Sequence, residues 1–159
     1  MLYTELTNEA LKFAYKKHHG QVDKAGVPYI FHPLAVVEFL PENYQCDETA
    51  VCAALLHDTL EDTDTTREEL TFIFGQKIAD TVDMLTRPKG MSYDEYIKRI
   101  AQHGSTIAIS VKIADLFHNS MSSRLTNITN KDLVKIDKYQ KYIAMLDPDK
   151  QAKEKSSSN

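Results

Sequence analysis

Three short stretches hold most of the residues able to do chemistry. In LLHDTLED, Leu55 to Asp62, the groups His57, Asp58, Glu61 and Asp62 crowd in directly behind Val51 to Leu56, which is apolar almost all round. A helix of that composition is buried. A buried carboxylate needs a cation, a hydrogen bond or a proton to offset the loss of water. A divalent metal would meet that need. A solvated C-terminal turn would meet it too, although acids there oppose the helix dipole. At about 100° per residue the four polar groups of a continuous helix would share an arc of roughly 140°.

The second stretch is PYIFHPL, where His32 stands among Tyr29, Ile30, Phe31 and Leu34. Taken alone it reads as a core histidine satisfied by backbone groups. The third is VKIADLFHNS. Asp115 lies inside an apolar helix, with His118, Asn119 and Ser122 at i+3, i+4 and i+7. That stripe is either a ligand site or a small structural polar network. Together the stretches offer His32, His57, Asp58 and Asp115 from three separate helices. Mixed imidazole and carboxylate donors suit Mn, Fe, Co, Ni or Zn. Open positions on such an ion would take water and a substrate oxygen, lowering the water's pKa and polarising a phosphoryl group.

The elements that must position these residues all read as helices. Thr7 to His18 carries helical apolar spacing at Leu11, Ala14 and Tyr15. Residues Gly20 to Tyr29 form a loop marked by Gly26 and Pro28, and Pro33 suits the first turn of a helix running to Leu40. Asp47 can cap Glu48 to about Asp62, predicted as one continuous helix. Thr66 with Glu69 and Ser92 with Glu95 form capping-box patterns, Gly75 ends the first of those helices, and Lys77 to Thr86 lies between them. A long helix is expected from Ser105 to Arg124, and a last one, capped by Asn130, from Lys131 to Leu146, closed by Pro148. No segment alternates with period two between turns. The run IAISVKIA is β-prone by composition, but its continuation into ADLFHNSM favours helix. The expected class is all-α, one domain over residues 1–148, with a polar, disordered tail over 149–159.

The sequence has 159 residues, enough for one domain with a usable core. Its net charge of −4 argues against binding to the phosphate backbone of nucleic acids, which needs a basic face. A small phosphorylated ligand needs only a few local cations. No run approaches a membrane span, and the N-terminus lacks the pattern of a signal peptide. Cys46 and Cys52 form no CxxC pair, so a reducing cytoplasm is the simplest setting, with Cys52 a core residue.

HHGQVDKAGVPYIFHPLAVV, AALLHDTLEDTDTT and VKIADLFHNS, in that order, resemble the HD-domain phosphohydrolases, in particular the single-domain small alarmone hydrolases related to RelA/SpoT proteins. The similarity covers about residues 3–146. It implies an HD-domain bundle of about eight helices and a Mn²⁺-dependent hydrolase that removes the 3′-pyrophosphate from (p)ppGpp. By that resemblance His32, His57, Asp58 and Asp115 are metal ligands. Glu61 and Asp62 are the pair that positions or activates water. Lys24, Asn119, Ser122, Lys135 and Tyr139 touch the nucleotide.

Two stretches depart from the family pattern. The loop that usually reads Arg-Lys-Ser-Gly is Asp23-Lys24-Ala25-Gly26, and the usual Lys-Leu-Ala-Asp-Arg-Leu-His-Asn has Leu116 in place of its arginine. The missing loop arginine stacks on guanine in the family, a task for a planar cation. Another phosphorylated nucleotide is therefore an alternative substrate, such as a deoxynucleotide or the 2′-phosphate of NADPH. A nucleotide-sensing module with little turnover and a metal-free helical scaffold are also compatible with these residues. Lys98, Arg99, Lys112 and Arg124 read as solvated faces or surface ion pairs, Lys98 and Arg99 being the better placed to reach a phosphate. Tyr93 and Tyr96 read as packing residues.

Overall fold

The structure, a computed structural model, describes residues 2–121 and 128–147. Among these it contains α1 (Glu5–Lys17), α2 (Phe31–Glu38), α3 (Glu42–Gln45), α4 (Glu48–Leu56), α5 (Thr59–Asp62), α6 (Arg67–Phe74), α7 (Gln76–Leu85), α8 (Tyr93–His103), α9 (Thr106–Ser120) and α10 (Asn130–Leu146). No strand occurs among the described residues, only an isolated bridge between Val22 and Pro28. None of these helices is long and apolar enough to cross a membrane. Eight of the ten segments are longer than one turn; α3 and α5 are single turns of four residues.

α4 is the axis of the fold. Every residue from Ala50 to Leu56 is buried, and the helix packs against α1, α2, α7 and α9. Its large buried side chains each contribute about 1.5–3 kcal/mol by leaving water. A second core joins α8, α9 and α10 through Tyr96, Ile97, Ile100, Leu116, Tyr142 and Leu146. Tyr96 is thus a packing residue, as its sequence context suggests, and its hydroxyl donates to the Leu85 carbonyl. α9 belongs to both cores. It is therefore held rigidly while carrying Asp115 toward α2 and α4.

Several local expectations need correction. The predicted helix from Glu48 to Asp62 is broken at His57 and Asp58. Its last carbonyls are taken by side chains: His57 Nδ1 donates to Ala54 O and Thr59 Oγ1 to Leu56 O. These local bonds compete with the next helical turn, so α5 restarts as a separate turn. The box expected at Thr66 is half made. Thr66 accepts from the Glu69 amide, while the Glu69 carboxylate pairs with Lys17. The box at Ser92 is complete. The cap of α10 is Thr129 with Asp132, one residue before the expected Asn130. α9 ends at Ser120. Ser122, Arg124, Pro148 and the tail lie outside the described residues.

Candidate metal centre and adjoining pocket

The break after α4 is what forms the centre. It places His57 and Asp58 opposite His32 on the first turn of α2 and Asp115 on α9. His57 Nε2 lies 2.9 Å from Asp58 Oδ2, 3.9 Å from Asp115 Oδ1 and 3.2 Å from His32 Nε2. His32 Nε2 lies 3.4 Å from Asp58 Oδ2 and 3.2 Å from Asp115 Oδ1. Donor atoms of His32, His57 and Asp58 fall within 4.8 Å of one another. Two nitrogens and two carboxylates from three parts of the chain thus meet at one point. His32, His57 and Asp115 are buried there.

Hydrogen bonds fix the ring orientations. His57 Nδ1 sits 2.7 Å from the Ala54 carbonyl, which only accepts, so Nδ1 carries a proton and Nε2 is the nitrogen that faces the centre. His32 Nδ1 pairs with His118 Nδ1 at 2.7 Å, with the two rings stacked. Both imidazoles are therefore anchored through one nitrogen and offer the other to the centre, the arrangement that metal-ligating histidines adopt. Tyr29 donates its hydroxyl to Asp58 Oδ2. Asn119 donates to Asp115 Oδ1 at 2.6 Å and Lys112 to Asp115 Oδ2 at 2.8 Å. The donor set fits a divalent cation.

The electrostatics agree with that fit. Burial alone would depress His32, but the carboxylates of Asp115 and Asp58 outweigh it and hold the imidazole up to about 9. Burial would raise Asp58; the His57 and His32 rings reverse this and keep its carboxyl well below the usual range. Asp115 is also lowered, burial being overcome chiefly by Lys112 and then by the histidines. Each carboxylate stays ionised because positive charge faces it.

Glu61 and Asp62 lie on α5, one turn beyond Asp58, and both are exposed. Glu61 Oε2 accepts from the Arg87 amide at 3.2 Å. The Asp62 carbonyl accepts from Gln21 Nε2 at 3.0 Å, and Gln21 Oε1 pairs with buried His18. Partial burial, followed by the charges of Asp58 and Glu61, raises the Asp62 carboxyl.

A cavity of about 280 Å³ opens beside the centre. Lys24, Asn119, Lys135 and Tyr139 line it together with His32, so four of the five expected nucleotide contacts share one wall. The fifth, Ser122, lies outside the described residues. Lys135 Nζ stands 5.4 Å from the Tyr139 ring centroid. Asp132 also lines the cavity; its bonds to Thr129, then the nearby Lys24 and Lys135, keep its carboxyl low.

Asp23 also lines the cavity, and its Oδ1 accepts from the Ala25 and Val27 amides at 2.8 and 3.0 Å. The carboxylate that stands where the sequence resemblance predicts arginine therefore shapes the loop itself. Gly26 stands in this turn at φ +79°, a backbone that strains side-chain-bearing residues.

Lys112 is a correction. It is no solvated face: it is 7% exposed, paired with Asp115 and set over the rings of Tyr93 and Tyr96. Its position three residues before Asp115 inside an apolar run is the signal that could have shown it. Tyr29 and His118 lie beside the assigned residues in sequence, but their contacts with Asp58 and His32 come from tertiary packing. Arg99 donates to the Thr86 carbonyl at 3.4 Å.

The sequence pattern of the HD domain matches residues 10–112. A zebrafish (Danio rerio) protein, guanosine-3′,5′-bis(diphosphate) 3′-pyrophosphohydrolase MESH1, is 40% identical over 122 residues, covering 73% of this chain and 68% of the relative. An Aquifex aeolicus protein named guanosine-3′,5′-bis(diphosphate) 3′-pyrophosphohydrolase is 36% identical over 126 residues, covering 79% of this chain. A Myxococcus xanthus GTP pyrophosphokinase is 36% identical over 127 residues, covering 72% of this chain. The chain spans only 18% and 17% of those two longer proteins. A solved structure described as a metazoan orthologue of SpoT that hydrolyses ppGpp superposes with a TM-score of 0.79 at 27% identity, covering 93% of this chain and 89% of that one. The all-α architecture and the pairing of His57 with Asp58 agree with these likenesses: the chain belongs to the HD-domain family.

Proposed function

We propose that this protein is a Mn²⁺-dependent hydrolase that removes the 3′-pyrophosphate from (p)ppGpp. The observation that carries the reading is the convergence of His32, His57, Asp58 and Asp115 beside a cavity lined by Lys24, Asn119, Lys135 and Tyr139. The likeness to two 3′-pyrophosphohydrolases supports the same reaction. His32, His57, Asp58 and Asp115 would hold the ion, which when bound lowers the pKa of a water and neutralises charge on a phosphoryl oxygen.

The chain's own groups do the rest. Lys24 and Lys135 attract the phosphates, and Asn119 and Tyr139 orient the nucleotide against the wall. Glu61 and Asp62 align the attacking water and accept its proton, a role that suits the raised Asp62 carboxyl. The water oxygen bonds to the phosphorus attached at the 3′ position. The bond from that phosphorus to the ribose oxygen breaks, and pyrophosphate leaves. With a net charge of −4, the reading calls for a small nucleotide rather than a nucleic acid. The unpaired, exposed Cys46 suits a reducing cytoplasm.

The test is a Mn²⁺-supplemented panel of ppGpp, pppGpp, deoxynucleoside triphosphates and NADPH, with products separated by anion exchange. Pyrophosphate released from ppGpp and pppGpp is the expected result. Single phosphates from the other nucleotides, with ppGpp untouched, would overturn the substrate.

A further inference from the structure

Lys112 is an unusual group to find at the bottom of this centre. Its ammonium is buried with Asp115, at 7% and 4% exposure. It donates to Asp115 Oδ2 at 2.8 Å and stands 5.0 Å and 5.6 Å from the ring centroids of Tyr96 and Tyr93. The other oxygen, Oδ1, faces His32 at 3.2 Å and His57 at 3.9 Å. The two oxygens of one carboxylate are thus divided: Oδ2 is held by a fixed lysine, and Oδ1, which also accepts from Asn119 at 2.6 Å, faces the histidine pair. The aromatic faces favour the cation and leave it little room to move. A flexible, strongly hydrated lysine gives up much solvation to be there, so the arrangement calls for a reason beyond packing.

We propose that Lys112 is a positioning residue that holds Asp115 Oδ2, so that Asp115 can offer the centre only Oδ1. It thereby keeps one coordination position open for water or substrate. The inference rests on the reading that the four-residue centre binds a divalent cation. Two consequences follow from charge and geometry. Lys112 neutralises one of the two carboxylates of the centre, which weakens its hold on a cation and leaves a bound ion more electron-poor. Without Lys112, Asp115 is free to chelate through both oxygens, and a nearby positive charge that opposes the incoming ion is gone. Tighter binding and slower turnover should therefore appear together.

The test compares wild type with Lys112→Met, which removes charge and hydrogen bond, and Lys112→Gln, which keeps an amide donor. Calorimetric titration with Mn²⁺ and water-proton relaxation of the Mn²⁺-loaded protein are the readouts besides activity. The expected result for Lys112→Met is at least tenfold tighter Mn²⁺ binding and a loss of exchangeable water on the ion. Turnover should fall about a hundredfold. Lys112→Gln should bind tighter than wild type while retaining the water count. If the variants fold only with Mn²⁺ present, that also supports the proposal, because the ion then replaces the missing positive charge. Unchanged or weaker Mn²⁺ binding in both variants overturns it, as does failure to fold even with Mn²⁺. Failure of wild type to bind Mn²⁺ would instead refute the metal reading beneath it.

Discussion

In the protein without a bound cation, the centre should hold a proton that the ion must displace. His57 Nε2 and His32 Nε2 approach to 3.2 Å, each also close to Asp58 Oδ2. Bare lone pairs at those distances would repel, so positive charge is shared among them. The His32 imidazole is raised from 6.5 to about 9 because its carboxylate partners outweigh burial. At about 1.4 kcal/mol per pH unit this amounts to about 3 kcal/mol. Since the folded-state value lies above the ordinary one, the stabilisation is fully present below pH 6.5 and is lost as pH rises through about 9. A cation bound through His32 Nε2 competes with that proton. At pH 7 its apparent affinity should therefore be about a hundredfold below the limit reached above pH 9, and about one proton should leave per ion. Calorimetric titration with Mn²⁺ in PIPES and in Tris, whose ionisation heats differ, counts the released protons. Thermal melts in EDTA should lose stability between pH 6.5 and 9, and melts with saturating Mn²⁺ should not. No proton released at pH 7, together with a flat pH profile in EDTA, would refute the charge balance argued for His32.

Two further substitutions divide the work of the site. Glu61 is exposed and makes one bond to the Arg87 amide, so Glu61→Gln should change stability by less than about 0.5 kcal/mol. It should leave Mn²⁺ binding within about threefold while lowering turnover on ppGpp by about 10²–10⁴; melting, calorimetry and a pyrophosphate-release assay check the three parts separately. Tyr29→Phe removes the hydroxyl that donates to Asp58. It should cost about 1.5–3 kcal/mol in the cation-free protein and weaken Mn²⁺ about tenfold, and a Mn²⁺ affinity equal to wild type would show that Asp58 needs no such support.

The fold is legible in the sequence where one pattern dominates. Helical spacing and caps locate α1, α6, α7, α8 and the start of α9, because amphipathic periodicity and Ser or Thr caps act locally. The site residues are legible as a set, since each sits in a polar–apolar conflict that burial makes expensive. The break at His57 is not legible. Val51 to Asp62 carries no glycine or proline, and what ends α4 is a histidine and a threonine turning back on its own carbonyls. Propensity does not record that competition. Lys112 is legible only in part: its place in an apolar run three residues before Asp115 marks it, but not what encloses it. A lysine is ordinarily solvated, and only the packing of α8 against α9 supplies the two tyrosine rings that enclose this one.

The break changes what the motif means. On a continuous helix, His57, Asp58, Glu61 and Asp62 would share one face, and any ion held by the first pair would lie beside the second. In the structure His57 is buried, whereas Glu61 and Asp62 are exposed on a separate turn. That turn is tied back by the Asp62 amide to the Asp58 carbonyl at 2.9 Å and by Gln21 to the Asp62 carbonyl. The two pairs thus have different solvation although they are one helical turn apart in sequence. Histidine and aspartate ligands need burial to hold their geometry, and water-handling carboxylates need access to solvent to exchange protons. Gln21 begins the loop that carries Lys24 to the cavity beside the centre, and Tyr29 closes it against Asp58. One loop therefore joins all three parts of the proposed reaction: the ion's ligands, the water-handling turn and the phosphate-binding wall. Its closure depends on Asp23, at the position where the resemblance to alarmone hydrolases predicts arginine. Restoring that arginine would supply a planar cation for the base but remove the acceptor of two loop amides, so a gain in base contact would be offset by a less ordered loop.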